Sequence, residues 1–164
     1  MSDTVPLVIA IVSTRIPVVP ERGTYPRRMS TPPKEYPRYE YAIYLVNHGT
    51  EPIAATLTTG GFASDDDTLS DLMPSSSAVE VGARAAVLLE RPDEGAFDFT
   101  FYYDLTFTPP GGASLRGIFG VSRWGGGALD RTEEEPILGV HARVIRAREW
   151  RDPSYFEVPA RRGS

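Results

Sequence analysis

The chain has 164 residues, 41% hydrophobic and 24% charged, which fits one globular domain (1–164) with a core of its own. Its 15 Gly and 15 Pro favour many turns, while the absence of Cys excludes disulfides, thiolate metal sites and thiol nucleophiles and favours a cytoplasmic location. The net charge of −5 is uneven: residues 40–135 hold 16 Asp/Glu against 5 Arg, a balance of −11, whereas 15–38 stands at +4 and 143–162 at +3. An acidic middle opposes nucleic acid, and basic ends suit docking on an acidic surface of the same chain or of a neighbour.

Along the chain, Val5–Val12 is the first apolar run. It is too short for a membrane span, follows Asp3 instead of a basic region, and is expected to be a strand, with no engagement of a membrane. The stretch 15–38 is rich in proline and predicts an extended arm or loop near the N-terminus. Tyr39–Val46 is aromatic and β-branched with both faces apolar, the pattern of a central strand covered on two sides. Asn47-His48-Gly49 marks a turn into a strand at Ile53–Thr59, and Ser64–Leu72 suits one short helix. After Ser75–Ser77, alternation over Val79–Leu89 predicts one strand.

The clearest signal is Phe97–Phe107, where every odd position is large and apolar and the even ones are mostly polar. Pro110 and Gly111 then suit the two central positions of a type II turn, leading into a strand over Leu115–Trp124. Ile137–Ile145 completes the set, and a basic tail covers 148–164. Seven to eight short strands with turn chemistry between them predict an all-β, antiparallel, two-sheet sandwich with a Pro-rich N-terminal arm.

Tyr41 to Ile53, with its strand, Asn-x-Gly turn and following alternation over Ala54–Thr59, resembles bacterial immunoglobulin-like sandwich modules over about an eighth of the chain. The antibody-type Cys and Trp framework is absent, so the resemblance implies a generic Ig-like topology. Such modules mostly bind or space other proteins, which is an implication from fold alone.

Few residues offer chemistry. His48 and His141 are the only imidazoles and lack ligand-spaced partners; structural or solvated roles are expected of both, and a triad of His141, Asp104 and a serine has no nucleophile-elbow motif behind it. Asp65, Asp67 and Asp71 could offer oxygen to Ca²⁺, but the spacing is not that of an EF-hand, and a solvated acidic loop is expected. Gly125–Gly127 lacks the Lys-Ser/Thr of a phosphate loop. Pro17, Pro20 and Arg22 form a P-x-x-P-x-R match and, with Arg27 and Arg28, make the arm a partner-binding candidate. Tyr102, on the polar face of its strand, is the aromatic most suited to exposure. The expectation is a non-enzymatic interaction or assembly module, without cofactor or catalytic residues, binding a protein partner or itself as a homo-oligomer. A carbohydrate- or Ca²⁺-binding sandwich is the alternative, and an enzyme the third.

Overall fold

The computed structural model describes residues 5–16, 38–63, 75–92, 99–121 and 132–156. Alternating apolar residues set most of the strands. β1 (Leu7–Ile16) and β2 (Arg38–Asn47) pair along their whole length, from Leu7 opposite Asn47 to Ile16 opposite Arg38. The segment 17–37 therefore joins two paired strands. Arg15 and Arg38, at the limits of the Pro-rich stretch, belong to those strands.

β3 (Ile53–Ala63) pairs with β4 (Ser75–Val81) and with β6 (Phe99–Phe107), which pairs in turn with β7 (Leu115–Val121). β5 (Ala85–Glu90) joins β2, and β9 (Val140–Ile145) joins β1 and the three-residue β8 (Glu133–Glu135). The two-residue β10 (Trp150–Arg151) closes the far side of β7 and leads into a 3-10 turn at Pro153–Phe156. The result is two packed five-stranded antiparallel sheets, β5-β2-β1-β9-β8 and β10-β7-β6-β3-β4.

Among the described residues ten strands replace the seven or eight expected. The run at Val79–Leu89 is broken by a turn at Gly82–Arg84, where Arg84 takes a positive φ of 50° and its amide bonds the Gly49 carbonyl. The run at Ile137–Ile145 starts as a turn, and its strand begins only at Val140.

The core lies between the sheets. Leu7, Ile9, Ile11, Ile43 and Leu45 face Leu57, Tyr103, Leu105, Phe107 and Phe119. Burial of such side chains, at about 25 cal/mol per Å², is the main driving term. Odd positions of β6 are buried as expected from Tyr103 onward; the side chains of Phe99 and Phe101 lie outside the description. The hairpin into β7 turns on Pro109–Gly112, with Gly111 at φ +71° and the Gly112 amide bonding the Pro109 carbonyl at 3.1 Å, matching the predicted type II geometry.

β10 is held by its side chain. Trp150 stands opposite Gly117, edge-on to Phe107 (5.5 Å) and Phe119 (5.6 Å). The indole fits because Gly117 has no side chain: a Cβ there would lie 2.7 Å from the ring.

Candidate functional site

The first sheet is apolar on both faces. Its outward side carries Val8, Ala10, Val46 and Ala142, all buried, with Val12, Tyr44, Ala86, Ile137, Leu138 and Val144 packed against them. Register places Leu88, Tyr44, Ala10 and Val144 in one row across four strands. Leu88 and Val140 remain 41% exposed at the margins of this outward face.

The tip of the β8–β9 hairpin covers part of the face. Ile137 and Leu138 pack on the cluster around Val8 and Val46, and Gly139, at φ +68°, lets the chain reverse while its amide bonds the Glu135 carbonyl. Glu135, 2% exposed, anchors the tip. One carboxylate oxygen accepts the Ile137 amide at 3.0 Å, and the other lies 3.0 Å from His48 Nε2.

His48 is itself fixed from two sides: its amide bonds the Pro6 carbonyl, and the preceding Asn47 is fully buried. The Asn47 amide nitrogen donates to the carbonyls of Glu51 (2.8 Å) and Gly82 (3.1 Å), and its oxygen accepts the Gly49 amide (2.9 Å). One side chain thus ties the β2–β3 turn to the β4–β5 turn.

The four outer strands are unequal. β8 is three glutamates long and β10 two residues long, the short or charged edges that block pairing with another chain. β4 is rich in serine and carries Glu80. β5 reads Ala-Ala-Val-Leu-Leu-Glu, five uncharged residues in sequence, and among the described residues it has β2 on one side and no strand on the other. Its exposed Leu88 continues the apolar outward face to the very edge. At its two ends stand Arg84, whose guanidinium has no ion-pair partner among the described residues, and Glu90, which accepts a hydrogen bond from the Tyr103 hydroxyl of the opposite sheet. Burial, reinforced by the Glu90 hydrogen bond and charge, pushes the Tyr103 phenol far above its ordinary range.

The sequence-derived candidates fare differently. Pro17, Pro20, Arg22, Arg27, Arg28, Asp65, Asp67, Asp71, the Ser64–Leu72 helix and Gly125–Gly127 lie outside the described residues. Tyr102 is half-buried on the outward row of β6, opposite Gly60 and Gly120. Asp104, an even position expected to be solvated, is buried because Arg116 on β7 holds it in a fork, Nε to Oδ1 at 2.8 Å and Nη2 to Oδ2 at 2.5 Å. His141 is exposed on β9, in the other sheet, so Asp104 and His141 are not brought together.

Among the described residues no group of three His, Asp or Glu is placed to hold a metal, and no helix is long and apolar enough to cross a membrane. The β5 edge and the Glu135–His48 anchor escaped sequence reasoning because each depends on pairing between distant segments. No protein-family model, curated protein or solved structure matches the chain.

Proposed function

We propose that the chain is a non-enzymatic, Ig-like assembly module that joins a second copy of itself through the edge of β5 that no described strand covers. The Ig-like part rests on strand order. β1-β2-β5 follow the A-B-E order of that topology and β7-β6-β3 its G-F-C order, with β4 beyond β3 and with β8, β9 and β10 added. The non-enzymatic part rests on how the acids are used: Asp104 is held by Arg116, and Glu135 by His48 and a backbone amide.

The observation that carries assembly is the contrast between the uncharged stretch Ala85–Leu89 of β5, which has no strand on its outer side among the described residues, and the short or charged β8 and β10 on the opposite side of the sandwich. The partner follows from the strand itself. In an antiparallel pair, opposed residues point to the same face, and a slip of one residue would set core-facing side chains against outward ones. Of the alignments that keep faces matched, the one that sets small Ala86 against large Leu88 puts Val87 opposite Val87 of the second copy. Small Ala86 and large Leu88 then meet twice by symmetry, while Glu90, beyond the register shift in β5, faces Tyr103 of the opposite sheet. Pairing also joins the two outward apolar faces into one.

Light scattering tests this. The intact protein is a dimer at high concentration, and Leu88→Lys, a charge at an already exposed position, makes it a monomer that melts like the intact protein diluted to its monomeric form. A monomeric intact protein, or a dimer untouched by Leu88→Lys, refutes pairing through β5.

A further inference from the structure

A separate cleft of about 420 Å³ opens at the end of the sandwich, where the chain crosses from β9 to β10 over the start of β1. One wall is apolar, from Val5, Pro6 and Trp150. His48, Arg146 and Arg148 supply the polar side. The acid on the lining, Glu149, lies 3.2 Å from Arg151 in an exposed pair.

The three basic groups are not equally available. His48 is committed to the buried Glu135. Arg146 pairs with Glu133 at 2.8 Å, but both side chains are about half exposed or more, so the bond is weak and open to exchange. Arg148 is exposed and has no ion-pair partner among the described residues. A pocket of this size, half apolar wall and half guanidinium, meets the usual requirements for a small ligand with one charged end. A guanidinium fork matches the planar carboxylate bidentately.

We propose that this cleft binds a small organic carboxylate with an apolar body. The carboxylate sits between Arg148 and Arg146, displacing Glu133 from the latter, while the body lies against Pro6, Val5 and Trp150. The site is independent of β5 and does not rest on the assembly reading.

Amide-resolved NMR titration tests it with phenylacetate and its neutral analogue 2-phenylethanol. Phenylacetate shifts resonances at 146–150 and 5–8 and binds at least about tenfold more tightly than the alcohol, the worth of one charge-assisted contact. Arg148→Ser removes about that tenfold, and Glu133→Gln, which frees Arg146, tightens binding severalfold. Both changes are at exposed positions, so the fold survives them. No shift up to about 20 mM phenylacetate, equal affinity for the alcohol, or indifference to Arg148→Ser overturns the proposal.

Discussion

Two glycines on β7 allow one chemical change to be compared in two environments. At Gly117 an added methyl would stand 2.7–2.8 Å from three carbons of the Trp150 indole, distances that real Cβ atoms essentially never show. The ring cannot swing aside cheaply because Phe107 and Phe119 flank it edge-on. Gly117→Ala therefore strains the core or drives Trp150 and β10 from the sheet, at about 2–3 kcal/mol. For a chain of this size that lowers the melting temperature by about 4–12 °C. At Gly120 a methyl meets no atom within 4 Å, and φ there is not positive. Gly120→Ala should be neutral or stabilise by up to about 1 kcal/mol, since alanine restricts the unfolded chain. Circular dichroism melts of the two variants give the comparison. Equal shifts, or a silent Gly117→Ala, would refute the packing of Trp150 onto β7.

Two further outcomes follow from buried polar groups. Asn47→Ala removes three hydrogen bonds and leaves two carbonyls and one amide without their partner, so it should cost about 2–3 kcal/mol in a denaturant titration, and a loss below 0.5 kcal/mol would mean that the amide does not tie the turns together. The Tyr103 phenol is raised on folding, so its contribution is fully present below the ordinary phenol value of about 10 and is lost as pH rises beyond it. In an alkaline titration at least one of the eight tyrosines should stay un-ionised until the fold opens; full ionisation with native circular dichroism intact would contradict this.

The strands whose chemistry is local were legible in the sequence. β6 announced itself because Tyr103, Leu105 and Phe107 alternate with smaller or polar residues, and the Pro109–Gly112 turn because proline and glycine dictate its dihedral angles. Features that depend on distant partners were not. Glu133–Glu135 reads as a charge run and becomes a strand only because Val140–Ala142 pairs with it. Asp104 reads as solvated until register sets it beside Arg116. Alternation from Val79 to Leu89 gave no sign of the break at Arg84, whose positive φ is fixed by its bond to Gly49. His48 was rightly placed in a turn, but its carboxylate partner on β8 could be found only in three dimensions.

Assembly through β5 is tested most directly by oxidative cross-linking, because the chain has no cysteine of its own. Paired as proposed, Val87 meets its own copy within the Cα separation of about 4.4–6.8 Å that a disulfide spans, whereas Ala86 and Leu88 meet each other. Val87→Cys should therefore form a covalent dimer readily. Ala86→Cys and Leu88→Cys should each form no covalent dimer alone and cross-link when mixed. Equal cross-linking at all three positions, or none at Val87→Cys, would contradict the account.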